Sequence, residues 1–175
     1  MRRVLTIAAS LSAIILLCGE SPDQVPEEVA AHMQRMADEC KQVDGTPLPD
    51  KFAEHGILAD GFEFWAINEG AFRCDGAASL FSGSGGSQVV VYLTLPNGHA
   101  KQIFASGADG FSVEHSGKFT KLWIGVGGPL CGQKGNPTHA DAMSCDRPLT
   151  WNAKGQRLDF APLSRARIPG HLHNW

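Results

Sequence analysis

Hydrophobic and polar residues recur along this chain with two different periods, and the change of period divides it. Val29, Met33, Met36 and Cys40 are spaced by four, three and four, which places them on one face of a helix. Pro26 and the acidic pair Glu27–Glu28 suit the start of that helix and Gly45 its end, so it is expected over about Pro26 to Gln42. Its apolar face is expected to pack on a sheet, with Cys40 as a staple. From Phe62 the period falls to two. Phe62, Phe64, Ala66 and Asn68 alternate with Glu63, Trp65 and Ile67, a strand with both faces largely covered. Val89 to Leu95 is a β-branched, nearly continuous apolar run, the signature of a central strand.

Turn residues then recur at short intervals. Pro96-Asn97-Gly98 folds the chain back into a strand over about Ala100 to Ala105. Ser116-Gly117-Lys118 joins Phe111–His115 to Phe119–Val126, where Leu122, Ile124 and Val126 face one way and Lys121, Trp123 and Gly125 the other. Ala153-Lys154-Gly155 joins Leu149–Asn152 to Gln156–Phe160. Successive hairpins predict a mainly β fold with one N-terminal helix, an antiparallel meander forming a small barrel or sandwich. The helix is expected to cover one open side, and residues 164–175 to form an irregular C-terminal tail rich in Arg and His.

The first residues follow neither period. Arg2 and Arg3 precede Val4–Leu17, which is apolar apart from Thr6, Ser10 and Ser12. That is the charged start and short apolar stretch of a secretion signal, and it falls short of the roughly 20 apolar residues of a spanning helix. Residues 1–19 are therefore read as a signal peptide, 20–26 as a tether and 27–163 as a single domain. Ile15-Leu16-Leu17-Cys18 approaches a lipobox, with bulky Leu17 where a small residue belongs. Soluble export to the periplasm is the preferred reading, and a lipid anchor at Cys18 the alternative.

Export changes the meaning of the cysteines. Of five, Cys18 falls in the signal, leaving Cys40, Cys74, Cys131 and Cys145, an even number that predicts two disulfides in an oxidising compartment. The favoured pairing is Cys40–Cys74 and Cys131–Cys145, the second closing a short loop rich in Gly and Pro. A metal site would want close pairs such as C-x-x-C, and the chain has none. Without Arg2 and Arg3, 13 basic residues face 18 acidic ones, a formal charge of −5. That balance disfavours nucleic acid and anionic membrane as partners.

Candidate chemistry is sparse. Ser82-Gly83-Ser84-Gly85-Gly86-Ser87 lacks the Lys-Ser/Thr ending of a phosphate loop, the glycine two residues before the serine of a nucleophile elbow, and the third glycine of a dinucleotide fingerprint. What remains is a hydroxyl-bearing loop before a buried strand, with Ser82, Ser84 and Ser87 as contact residues for a partner. Cys131, near His139, is read as half of a disulfide and not as a nucleophile. His171 and His173 alternate on the tail without an evident third ligand, and are read as solvated. Asp60, Glu63, Glu69 and Asp75 supply carboxylates near the first strand with nothing to fix their geometry. No catalytic residue, metal or cofactor is assigned.

The runs GAFRCDGAASLFSGSGGSQV (from Gly70), KLWIGVGGPLCGQ (from Lys121) and SCDRPLTWN (from Ser144) resemble a group of uncharacterised exported proteins of Gram-negative bacteria. The resemblance spans about Met36 to Leu163 and implies export and a β-rich fold. In that group a calcium-binding loop of FG-GAP type often precedes the first strand. The matching stretch Leu58–Phe64 keeps only Asp60 and Glu63 as oxygen ligands, against the six to eight that calcium takes. The expectation is an exported, non-catalytic binding module of the cell envelope, its partner a protein or envelope component. Inhibition of lysozyme-like hydrolases is the alternative, and a hydrolase using Glu69 or Asp75 with a histidine comes last.

Overall fold

The computed structural model describes residues 25–83, 86–135 and 137–168. The signal segment with Cys18, the loop residue Ser84, and His171 and His173 lie outside the described residues. The expected helix forms as α1 (Glu27–Gln42), preceded by Pro26 and with Glu27 and Glu28 in its first turn. Val29, Met36 and Cys40 are buried on its inner face, together with His32, which lies one turn from each of the first two. At its end Asp44, with φ of 59°, takes the left-handed position. Gly45 follows for a different reason: a Cβ there would stand 2.3 Å from the Cys74 sulfur and 2.9 Å from that of Cys40.

Two short strands, β1 (Thr46–Pro47) and β4 (Cys74–Asp75), pair beside that disulfide. The remaining strands make two antiparallel sheets of four. The first has the order β2-β3-β5-β6, from β2 (Ala53–Ile57), β3 (Glu63–Asn68), β5 (Ser87–Thr94) and β6 (Ala100–Ala108). The second has the order β10-β9-β8-β7, from β7 (Gly110–Ser116), β8 (Phe119–Gly127), β9 (Ser144–Asn152) and β10 (Arg157–Phe160). β6 passes into β7 through Asp109 alone, so one residue carries the chain from sheet to sheet.

The sheets face each other across one apolar core. Phe64, Val89, Val91 and Ile103 of the first sheet meet Leu122, Ile124, Val126 and Leu158 of the second. On the far side of the first sheet, Ile67, Val90 and Tyr92 pack against Val29, Met36 and Cys40 of α1. The layers are thus helix, sheet, sheet. Of the two architectures expected, barrel or sandwich, the structure takes the open one: no ladder closes the two sheets into a barrel, and the described residues show only an isolated bridge, Leu58 to Thr120, between β8 and the segment after β2.

Residues 163–168 have more regular structure than their composition suggests. A 3-10 turn (Leu163–Arg165) follows β10, and Arg167 then exchanges both backbone hydrogen bonds with Asp146, each 2.8 Å. Its guanidinium lies 3.5 Å from the ring centre of Trp123, whose other neighbour is the Lys121 ammonium at 4.2 Å. Trp123 Nε1 and Arg167 Nη2 both donate to Glu114 Oε2, at 2.9 and 2.6 Å. A large aromatic residue on the outer sheet face is thereby kept from water by cations.

Both predicted disulfides are present, Cys40–Cys74 with a sequence separation of 34 and Cys131–Cys145 with one of 14. Loop-closure entropy assigns about 4 kcal/mol to the longer and about 3 kcal/mol to the shorter. Replacing Cys40 and Cys74 together by Ala should therefore lower the melting temperature by several degrees and more than the Cys131/Cys145 double variant does. Calorimetry of the two variants checks the order.

Candidate functional site

The Ser/Gly loop is a tight hairpin. Gly83 and Gly86 exchange backbone hydrogen bonds (3.4 and 3.0 Å), leaving two residues between them. Gly86 has a φ of 85°, and a Cβ there would come within 3.0 Å of the Ala108 carbonyl, so that wall is closed to larger residues. The two described hydroxyls of the loop have different surroundings. Ser82 is exposed, its Oγ 3.4 Å from the Ala78 carbonyl. Ser87 is half-buried at the start of β5, its Oγ between the Ala108 carbonyl (3.3 Å) and Asn68 Oδ1 (3.4 Å). Ser87 thus helps to build the wall, and Ser82 faces outward.

This hairpin borders a hollow of about 280 Å³ that it shares with Gly70, Ala71, Ala108 and Asp109. A second hollow, of about 420 Å³, begins at the same Ala108 and Asp109 and runs on past Gly127, Gly128 and Pro129 to Ser144. Together they form one trough across an end of the sandwich. Six glycines (70, 83, 86, 107, 127 and 128) line it among small and apolar side chains such as Ala71, Val126 and Pro129, and β6, β7, β8 and β9 all start or finish there. Asp109 stands exposed where the two hollows meet, and none of the ion pairs among the described residues includes it. The trough carries one negative charge at its midpoint.

The four carboxylates near the first strand have separate surroundings. Glu63 Oε1 is 2.6 Å from His55 Nε2, which stacks on Trp65. Asp60 is exposed in the turn after β2, and Asp75 is exposed in β4. With Glu63 committed to His55, Asp60 and Glu63 do not build an oxygen cage. Among the described residues no group of three or more His, Cys, Asp or Glu side chains is placed to hold a metal ion.

Glu69 is the one of the four that does meet a buried histidine. Its Oε1 is 3.0 Å from Nε2 of His32, whose Nδ1 is 2.9 Å from the Tyr92 hydroxyl. Neutral imidazole satisfies both partners at once: Nε2–H donates to the carboxylate, and Nδ1 accepts from the phenol. A base oriented by a carboxylate is half of a nucleophile-activating triad. Here, however, the third group is a phenol that burial holds above its ordinary pKa, and the His32 side chain is only 3 % exposed beneath α1. The arrangement is a latch between helix and sheet. Sequence reasoning passed over it, although His32 falls on the same face as Val29 and Met36 at helical spacing.

Comparison with protein-family models, with curated proteins and with solved structures gives no match.

The latch has a pH consequence. Burial, and secondarily the Arg35 guanidinium, hold the His32 pKa below its ordinary 6.5, while Glu69 and Glu39 oppose the shift. The fold therefore prefers neutral imidazole. The contribution is complete above about pH 6.5 and is lost as pH falls below it. Wild-type protein should melt at a lower temperature at pH 5 than at pH 7.5. The variant His32→Gln should start lower and lose less over that interval, as followed by helical circular dichroism.

Proposed function

We propose that this chain is an exported, non-catalytic binding module of the cell envelope, which holds a partner protein in the glycine-walled trough beside the Ser/Gly hairpin. The observation that carries this reading is Asp109, an exposed carboxylate with no ion-pair partner among the described residues, midway along a surface of glycines and small side chains. Such a surface suits an extended segment or loop that offers a basic side chain to Asp109 and hydrogen-bonds to the walls. Export is supported by the character of residues 1–19 and by two disulfides, which persist in oxidising compartments. Among the described residues no helix is long and apolar enough to cross a membrane.

A second reading, inhibition of lysozyme-like hydrolases, rests on the hairpin itself. Closed at Gly83 and Gly86, it is one strand spacing wide, about 5 Å, a width that a substrate cleft can admit.

Gly83 and Gly107 provide the test, because an added Cβ meets nothing within 4 Å at either and neither has a positive φ. Gly83→Phe and Gly107→Phe should keep the wild-type melting curve. Each should weaken capture of the envelope partner recovered by wild-type protein by about tenfold or more, as should Asp109→Lys. Full-strength capture by all three variants would refute the trough. Loss of lysozyme inhibition in Gly83→Phe alone would favour the second reading.

A further inference from the structure

The opposite end of the sandwich has the reverse character. β7 begins beside Asp109 at the trough and ends at Ser116, so the two ends are separated by seven residues of strand, roughly 20 Å. At Ser116 a cleft of about 270 Å³ opens between the turn after β2, the β7–β8 turn and the β9–β10 hairpin. Leu122, Leu149 and Leu158, all buried core residues, form its floor. Phe119 and Trp151 provide aromatic walls, and Phe62 lies against Trp151 with ring centres 5.0 Å apart.

We propose that this cleft binds a small, uncharged, apolar molecule the size of one or two rings or a short alkyl chain. Size and charge both support this class. A cavity of about 150 Å³ accepts benzene, and ordinary small-molecule pockets begin near 300 Å³. The charged groups at the mouth are largely committed. Glu114 accepts from Trp123 and Arg167, and Lys121 lies over the Trp123 ring. Asp60, Glu114 and Lys121 at the lip, with Lys118 nearby, 5.2 Å from the Phe119 ring centre, give the mouth both signs, so no field of one sign offsets the cost of desolvating a charged ligand on the apolar floor. The Ser116 and Thr150 hydroxyls remain to hold one neutral polar group, such as an alcohol. Apolar surface continuous with the core but open to solvent then gains burial without displacing a paired charge.

The probe is N-phenyl-1-naphthylamine, whose emission rises in apolar surroundings, titrated into the intact protein. Binding should saturate at one probe per chain. 1-Octanol should displace it, and octanoate should need about tenfold higher concentration. Asp60→Asn should narrow that difference. Ala59 is exposed in the turn at the lip, so Ala59→Trp should plug the cleft and abolish the signal with an unchanged melting curve. Gly107→Phe, at the trough, should bind the probe like wild type, which separates this site from the proposed partner surface. Non-saturating emission, equal displacement by octanoate and octanol, or wild-type binding by Ala59→Trp would each overturn the proposal.

Discussion

From Val89 to Leu93, β5 has no solvent face, and the layering of the molecule follows from that. Val89, Val91 and Leu93 point into the space between the sheets, while Val90 and Tyr92 point the other way. A strand apolar on both sides must be covered on both sides, and here a second sheet covers one face and α1 the other. Tyr92 makes the second cover chemically particular. Its hydroxyl lies within an otherwise apolar layer, and an unpaired hydroxyl there costs about 1–3 kcal/mol. His32 answers it from the helix, Glu69 answers His32 from the end of β3, and Arg35 lies 3.9 Å from Glu69 at the solvent edge. The polar path runs from the interior to water, with no unpaired group along it.

The two ends of the sandwich differ because the chain solves two different problems there. At one end β6 changes sheets through a single residue, and β8 ends at Gly127 with its connection to β9 starting at Gly128 and stapled by Cys131–Cys145. Tight backbone paths favour small residues, so glycines, alanines and prolines recur in the lining of that end. At the other end the turns are set by Gly61 and Gly117, both with positive φ, and the β8–β9 pairing stops at Trp123 and Pro148, which leaves a cleft walled by Phe119 and Trp151 over the buried leucines. The two ends thus differ in lining by topology before any particular side chain is considered.

Periodicity carried most of the fold. The four-three-four spacing that ends at Cys40 located α1, and the apolar run at Val89 located the doubly covered strand. Alternation in Leu122–Val126 assigned each side chain to the face on which it is found. What escaped detection was either short, irregular or distant in sequence. β2, Ala53–Ile57, has five half-buried residues and no alternation. The first half of β9 reads Ser-Cys-Asp-Arg-Pro, which suggests a loop, yet Arg147 lies over Phe160 and donates to the Ala161 carbonyl. The Arg167–Trp123–Glu114 clasp joins residues up to 53 apart and leaves no local trace. The trough was legible only through its Ser/Gly hairpin, because Asp109 acquires its setting from the sheet crossover and not from its neighbours in sequence.

The two disulfides also determine how the molecule responds to tension. Cys40–Cys74 bypasses a separation of 34 residues that includes all of β2 and β3, and Cys131–Cys145 bypasses one of 14. A pull applied between α1 and the clasped C-terminal segment would travel through the sulfur bridges and leave those loops slack. At about 3.4 Å per residue, roughly 160 Å of contour length stays hidden while both bridges hold. Reduction would release it, so the extensibility of this chain is set by its redox state as much as by its hydrogen bonds.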